Sequence, residues 1–326
     1  MTLPEITEPV DLCDAKGELN PHAVGWTRHP LHRPNLRGWG RTKRWEYWGI
    51  VTREHVIGLT ISSLDYAGVE AVYVLDRSTG AETVKEVTAP LARGVELAPA
   101  AGRGSSRFTG GGLGLAFEEE EDGTRIHAGT DEVELDLWAA RPPGHEAMGV
   151  VVPWSRRRFQ YTVKDVARPV TGRLSLHGTA YDASGWGVLD HGRGRWPYAV
   201  SWNWAAGSGE VDGEVRGIQL GARWTDGTGS TENALLVGGR VHKLHEDVGW
   251  TYDLADWQRP WRMRGPRVDV TFTPTHLRIA RTNLLVVSSR THQCFGEFHG
   301  WGRTDDGQQV RLDGLTGWAE EVHNRW

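Results

Sequence analysis

Residues 188–204 read VLDHGRGRWPYAVSWNW, a stretch that places three Trp among Asp, His, Arg, Tyr and Asn side chains. Side chains alternate between the two faces of a β-strand. If residues 196–204 form one strand, its first face is aromatic and apolar: Trp196, Tyr198, Val200, Trp202 and Trp204. The opposite face is small and polar and includes Asn203. The pattern predicts a strand whose aromatic face lines an interior.

Asp190 and His191 fall on opposite faces of the strand expected just before this one, with Trp186 on the side of Asp190. The glycines at 192 and 194 permit a bulge, which would change the direction of the side chains around it. We therefore expect Asp190 to face the same interior as the indoles. His191 would orient the adjoining loop, or reach the interior only through the bulge.

Two roles are open for Asp190. Burial among indoles disfavours the charged form of a carboxyl group, so Asp190 could hold a proton and donate it to a substrate. Indole faces also stabilise a developing positive charge. Together these properties suit proton-initiated hydration, isomerisation or cyclisation of an apolar molecule. Alternatively, Asp190 forms a structural ion pair with Arg193 or Arg195.

Further polar side chains extend the candidate site. Glu232 lies in the segment STENAL, residues 230–235, and could supply a second carboxylate for acid–base chemistry, although the segment equally fits a turn. His292 and Cys294 share a strand face, but no other ligand follows at a spacing suited to zinc, and no metal site is expected. With Asp190, His191 and Glu232 as catalytic candidates, the ligand-binding candidates are Trp186, Arg195, Trp196, Tyr198, Trp202, Asn203, Trp204, Asn233 and His292.

Composition favours a β protein. The 326 residues include 17 Trp and 42 Gly but only 6 Phe and 3 Met. Glycine favours turns and bulges, and Trp buries a large area while its N–H requires a partner. Strand-like segments separated by turn residues follow one another, as in HVIGLTISSLD at 55–65. The sequence predicts an all-β fold with very little helix, and residues 317–326, GWAEEVHNRW, are the one helical candidate.

A second unit is expected to begin near residue 165. The chain would then divide into residues 1–165, with a loop-rich start, and residues 166–326, which carry the Asp190–His191 pair.

Several classes of function are disfavoured. The net charge of -5 and the pI of about 6.3 provide no basic excess for binding nucleic acid. No apolar run approaches the ~20 residues of a membrane helix, and the N-terminus lacks the features of a signal peptide. The two cysteines do not form a disulfide framework, so a cytoplasmic protein is expected. Nucleotide-binding glycine loops and a nucleophile elbow are absent from the sequence, and no cofactor is expected.

Several blocks resemble the domain of unknown function 2804 family, among them VLDHGRGRWPY, WTDGTGSTENAL and GWAEEVHNRW. Residues 161–194 are also similar, more distantly, to carotenoid 1,2-hydratase and AttH-like proteins, in a region ending with Asp190, His191 and Gly194. That resemblance implies two lipocalin-like antiparallel β-barrel or sandwich domains packed together. It also implies that an acidic residue in this region protonates a double bond.

The partner implied by these observations is a small hydrophobic or amphipathic molecule. A lipid- or isoprenoid-binding protein without catalytic activity remains the alternative. A carbohydrate-active or carbohydrate-binding protein is a second one, because Trp faces and polar Asp and Asn edges also suit sugars.

Overall fold

The computed structural model describes residues 2–284 and 287–325, so Trp326, the last residue of the predicted helix, lies outside the described residues. Apart from one turn of 3-10 helix at Pro21–Ala23, the regular structure of the described residues is β. The first strands along the chain are β1 Val10–Asp11, β2 Trp26–Thr27, β3 His32–Arg33, β4 Lys43–Thr52, β5 His55–Ser63, β6 Ala67–Asp76, β7 Glu82–Pro90, β8 Val95–Glu96, β9 Ser105–Gly110, β10 Leu113–Glu120, β11 Gly123–Gly129, β12 Val133–Ala140, β13 Met148–Ser155, β14 Arg158–Leu176, β15 Thr179–Asp182 and β16 Gly185–Arg195. They are followed by β17 Ala199–Val211, β18 Glu214–Ala222, β19 Asn233–Val237, β20 Arg240–Leu244, β21 Gly249–Thr251, β22 Trp261–Gly265, β23 Val268–Leu284, β24 Val287–Arg303, β25 Gln309–Arg311 and β26 Leu315–Arg325.

Two curled antiparallel sheets form a near-barrel and a half-barrel, which confirms the predicted fold class. The first sheet has the order β7-β6-β5-β4-β16-β14-β12-β11-β10-β9-β8, with β13 and β15 also paired to β14 and β2 paired to β13. The second sheet has the order β20-β19-β18-β17-β26-β24-β23-β22-β21, with β25 paired to β24. Strands β1 and β3 form a separate parallel pair.

The chain passes from the first sheet to the second between Arg195 and Ala199. The boundary expected at 165/166 instead falls inside β14, where the pairing with β16 shifts register between Asp165 and Arg168. Ala167 has a φ of 58° at this irregularity. Residue 165 therefore lies at a bulge within one strand, and the Asp190–His191 pair belongs to the first sheet.

Each sheet encloses its own apolar core, and a third apolar cluster joins the two sheets. Trp48 and Leu137 are buried inside the first sheet, and Ile218 and Trp261 inside the second. The cluster between the sheets combines side chains of both, including Val188 and Trp204. Val51 on β4 and Trp318 on β26 belong to the same cluster, so the outer faces of these two strands pack against each other.

Residues 317–325 form most of strand β26, so the predicted helix is wrong. The segment lies between β17 and β24 and pairs with both along its length. Trp318, Glu320 and Val322 alternate with Ala319 and Glu321 across the strand. Two strand partners satisfy its backbone groups, and this tertiary pairing outweighs the helical preference of a short Ala–Glu segment.

Candidate functional site

A cavity of about 510 Å³ lies between the two sheets. Side chains of the first sheet form one wall, and side chains of the second sheet form the other. The residues that line it include Trp45, Tyr47, Thr162, Lys164, Asp190, Trp196, Trp202, Trp204, Trp224, Glu232, Arg278, Ala280, Gln293 and Glu320. The three indoles of the aromatic face predicted from the sequence thus border a cavity, which lies between the sheets.

Indole rings form the apolar part of the wall. Trp196, Trp202 and Trp204 belong to the predicted aromatic face and line the cavity. Trp45 and Trp224 join them: the rings of Trp196 and Trp224 are stacked with centroids 5.2 Å apart, and the ring centroid of Trp45 lies 5.7 Å from that of Trp196. Sequence reasoning missed Trp45 and Trp224, because strand alternation cannot show which distant strands share a wall.

Asp190, on β16, points into the cavity and is held by three donors. Its Oδ2 accepts a hydrogen bond from Trp45 Nε1 at 3.0 Å, and its Oδ1 accepts one from Thr162 Oγ1 at 3.0 Å. Lys164 Nζ lies 3.1 Å from the same Oδ1. Lys164 is the register partner of Asp190 on β14, which explains why the ion pair forms with this lysine. The arginine partner considered from the sequence is wrong, because Arg193 and Arg195 are engaged elsewhere.

Lys164 also binds Glu232, whose Oε2 lies 3.3 Å from its Nζ. Trp224 Nε1 donates to the other oxygen of Glu232 at 2.5 Å. Burial opposes the charged ammonium group, but Asp190 and Glu232 outweigh it and raise the pKa of Lys164. Burial also raises the pKa of Glu232, against the attraction of Lys164. The ammonium lies 4.1 Å from the ring centroid of Trp204, so its charge remains inside the indole wall.

Glu320, on β26, is a third carboxyl group in the cavity wall and differs from the other two in its partners. Trp202 Nε1 donates to its Oε1 at 3.0 Å, and Gln293 Nε2 donates to its Oε2 at 2.9 Å. Both donors are neutral. Burial raises the pKa of Glu320 to about 7, so the group exchanges a proton close to neutral pH. The sequence prediction missed it because residues 317–326 were expected to be helical, whereas alternation along a strand would have placed Glu320 beside Trp318.

A family model matches residues 4–326. The chain belongs to the family described as domain of unknown function (DUF2804). No curated protein sequence matches the DUF2804 chain.

Solved structures resemble the DUF2804 protein in fold over most of their length. An AttH-like protein from Nitrosomonas europaea is 13% identical, covers 87% of this chain and 92% of its own, and has a TM-score of 0.50. Kievitone hydratase from Nectria haematococca is 11% identical over 88% of this chain and 89% of its own, with a TM-score of 0.53. CghA bound to Sch210972 is 11% identical over 90% and 89%, also with a TM-score of 0.53. The predicted resemblance to AttH-like and hydratase proteins is confirmed as a shared fold.

His191 of the DUF2804 protein lies on the face of β16 opposite Asp190 and is buried away from the cavity. Its Nδ1 is 3.2 Å from Glu46 Oε1, and Arg193 Nη2 reaches the same oxygen at 3.2 Å. Burial lowers the pKa of His191 to about 4, so its ring is neutral at physiological pH. The structure gives His191 a place in the interior of the first sheet, with no access to a molecule in the cavity.

Three more candidates, Trp186, Arg195 and Tyr198, do not line the cavity. Arg195 donates to the carbonyl oxygens of Gly17 and Arg37 and thereby fixes the N-terminal loops. Tyr198 lies in the link between β16 and β17 and is 49% exposed, so the expected strand over 196–204 begins only at Ala199. Trp186 packs against the apolar cluster between the sheets.

The remaining candidates lie within the second sheet. Asn203 donates to the carbonyl oxygen of Glu320 at 3.2 Å, and Asn233 accepts from the backbone N–H of Gly221 at 2.7 Å. His292 stacks on Trp257 with ring centroids 4.1 Å apart. These contacts support the scaffold behind the cavity wall.

Neither a metal site nor a membrane span is found in the described ranges 2–284 and 287–325. No cluster of three or more His, Cys, Asp or Glu side chains there could hold a metal ion. No helix in the same ranges is long and apolar enough to cross a membrane.

Proposed function

We propose that the cavity binds an apolar or amphipathic small molecule and catalyses a proton-initiated reaction at a carbon–carbon double bond. Hydration, isomerisation and cyclisation all begin in this way. The observation that supports the proposal most strongly is that two carboxyl groups in one indole-lined cavity have opposite kinds of partner. Glu320 is held by neutral donors, whereas Asp190 is held by an ammonium group.

The partners assign different roles to the two carboxyl groups. A carboxyl group with only neutral donors in a buried site keeps its proton near neutral pH and can act as a general acid. Asp190 forms an ion pair with the ammonium group of Lys164, a contact that suits a general base. Environments that separate two titratable groups in this way mark an acid and a base in many enzymes. The proton donor is therefore Glu320, in place of Asp190 as the sequence suggested.

The reaction proceeds without a co-reactant other than water. The proton of Glu320 passes to one carbon of the double bond, whose π electrons form the new C–H bond and leave a carbocation. In hydration, water attacks the cation while Asp190 removes a proton from that water. In isomerisation, Asp190 removes a proton from the neighbouring carbon, and in cyclisation a second double bond of the substrate attacks first. Solvent exchange then returns the proton from Asp190 to Glu320.

The indoles contribute in two ways. They bury the apolar body of the substrate, and their electron-rich faces stabilise the carbocation. Kievitone hydratase, a hydratase by name, shares the fold. That likeness supports the reaction class without indicating the substrate.

Deuterium incorporation tests the proposal even though the substrate is unidentified. The protein is incubated in D₂O with an extract of apolar metabolites from its host, and mass spectrometry detects compounds that gain deuterium or D₂O. We expect such a compound with the native protein, and we expect Glu320→Gln and Asp190→Asn to abolish its formation. Glu134→Gln, at an exposed carboxylate of β12, is the matched control. Unchanged turnover in both cavity variants would contradict the proposed roles.

A non-catalytic carrier is the second candidate, since the same cavity could hold a lipid or isoprenoid. In that case an apolar molecule binds the native protein and both variants equally, and no deuterium is incorporated. The sugar-active alternative requires two carboxylates facing each other across a groove. Asp190 and Glu320 could serve as such a pair, but they lie in a cavity lined largely by indoles, which favours an apolar ligand over a sugar.

A further inference from the structure

We infer that the molecule bound in the cavity carries an anionic group, and that Arg278 binds this group. The inference rests on the proposed function, because it specifies the class of ligand for the same cavity. It describes an amphipathic molecule with an apolar body against the indoles and an acidic group such as a carboxylate, sulfate or phosphate at the other end.

Arg278 of β23 lines the cavity and is in direct contact with no carboxylate of the described residues, although its charge acts on Glu320 and partly offsets the effect of burial on the pKa of that group. Its Nη1 donates to Gln293 Oε1 at 3.2 Å, and its guanidinium group lies 4.2 Å from the ring centroid of Tyr73. Among the residues that the structure describes, no carboxylate forms an ion pair with Arg278. A guanidinium group has five N–H donors, so most of the hydrogen-bonding capacity of Arg278 is unused.

Three other buried cations form ion pairs, whereas the ammonium group of buried Lys243 donates to uncharged oxygen atoms. Lys164 contacts two carboxylates, Arg168 contacts Asp165 at 2.7 Å, and Arg193 contacts Glu46 at 3.2 Å. Placing an unpaired cation in a partly buried wall is costly, and the cost is offset when an anionic ligand supplies the missing charge. Arg278 is thus suited to complete an ion pair with a bound molecule.

The wall around Arg278 is polar on the side away from the indoles. Thr282 on β23 is the register partner of Ser289 on β24, and both line the cavity together with Thr291. Their hydroxyl groups can donate to anionic oxygens. An acidic group beside Arg278 would therefore find further donors on two adjacent strands.

The register of the second sheet sets the distances within the ligand. Arg278, Gln293 and Glu320 lie side by side on β23, β24 and β26, and Trp204 follows on β17. Arg278 Nη1 donates to Gln293 Oε1 at 3.2 Å, and Gln293 Nε2 donates to Glu320 Oε2 at 2.9 Å, so a single amide group separates the guanidinium group from the carboxyl group. In the expected substrate, the acidic group therefore lies close to the double bond that Glu320 protonates.

The carboxyl groups of the cavity do not prevent an anion from binding. Asp190 and Glu232 share the charge of Lys164, and Glu86 at the cavity mouth is exposed to solvent. Glu320 carries its proton below its pKa of about 7. An anion bound beside Arg278 favours that protonated form, and by reciprocity the affinity for the anion falls as the pH rises through about 7.

Two fluorescent probes with similar aromatic bodies test the inference: anilinonaphthalene sulfonate, which is anionic, and N-phenyl-naphthylamine, which is neutral. We expect the native protein to bind the sulfonate more tightly at about pH 6, where Glu320 is protonated. Arg278→Gln should weaken sulfonate binding about tenfold or more and leave the neutral probe unchanged, because it removes a charge-assisted contact. Arg278→Lys should keep part of the preference.

Arg262→Gln is the matched control, since Arg262 pairs with Asp269 at an exposed site on β22. Ala280→Trp fills the cavity and should weaken binding of both probes. If Arg278→Gln weakens neither probe, or both equally, the inference about the anion is wrong while the cavity stands. If neither probe binds the native protein, or if Ala280→Trp leaves both affinities unchanged, the proposed apolar ligand site itself fails.

Discussion

Glu320 and Asp190 differ because their neighbours on adjacent strands differ. Asp190 has Lys164 as its register partner, whereas Glu320 has Gln293 and the indole of Trp202. Direct contact with the ammonium group of Lys164 therefore distinguishes Asp190 from Glu320, on which the charges of Lys164 and Arg278 act only from a distance.

The pH dependence of stability should reveal this carboxyl group. Its pKa is about 7 in the folded protein, against the ordinary value of 4.5. The folded state therefore keeps a proton that the unfolded state loses above pH 4.5, and the stability contributed by the group is lost as the pH rises from 4.5 to 7. Glutamine does not ionise, so we expect Glu320→Gln to reduce the loss of unfolding free energy between pH 4.5 and 7 by up to about 3 kcal/mol.

Urea denaturation of the native protein and of Glu320→Gln across that pH range measures the difference. Glu134→Gln again serves as the control, because its side chain is exposed. Parallel stability curves for the native protein and Glu320→Gln would contradict the assignment.

Strand β26 is the element that brings most of the second wall together. It pairs with β17 on one side and β24 on the other, and Gly317 lies beside Gly207 and Gly296 on these neighbours. A Cβ atom at Gly317 would collide with the carbonyl oxygen of Ala206. Glycine is therefore required here by the close approach of the backbones.

We expect Gly317→Ala to destabilise the protein by about 1–3 kcal/mol, because the strands must separate to accommodate the methyl group. Gly129→Ala, where a Cβ would meet no atom within 4 Å, should have much less effect. Thermal unfolding of the two variants compares them directly. Equal melting temperatures would show that β26 tolerates the added atom.

Strand alternation allowed part of the site to be predicted at this scale. It placed Asp190 and the indoles of Trp202 and Trp204 toward one space, since that property depends only on neighbours along the chain. It did not locate Lys164 or Glu320, because their positions depend on pairing between strands distant in sequence. Tyr198 was misplaced for a related reason: the strand ends at Arg195 and resumes at Ala199.

At the scale of the whole molecule, composition and resemblance were sufficient to predict an all-β fold of two units. They were not sufficient to predict how the two sheets pack against each other. The residues at the predicted boundary form a bulge within β14, and the cavity depends on packing between the sheets. Such packing is set by complementary shapes on two surfaces, which no single stretch of sequence contains.

One such complementary pair is Gly49 on β4 and Trp318 on β26. A Cβ atom at Gly49 would collide with the Trp318 ring, so the indole occupies the space left by the missing side chain. We expect Gly49→Val to separate the sheets locally, weakening probe binding in the cavity and splitting the unfolding transition into two. Differential scanning calorimetry measures the transition, and Gly129→Val is the control. A single transition at the native temperature would contradict this account.

The cavity's position between two sheets also governs how a molecule gets in and out. Each sheet has its own apolar core, so widening the cavity requires the two sheets to move apart. A bound molecule that contacts side chains of both sheets would then hold the two sheets together. The residence time of the bound molecule should therefore depend more on the strength of packing between the two sheets than on the mobility of any surface loop.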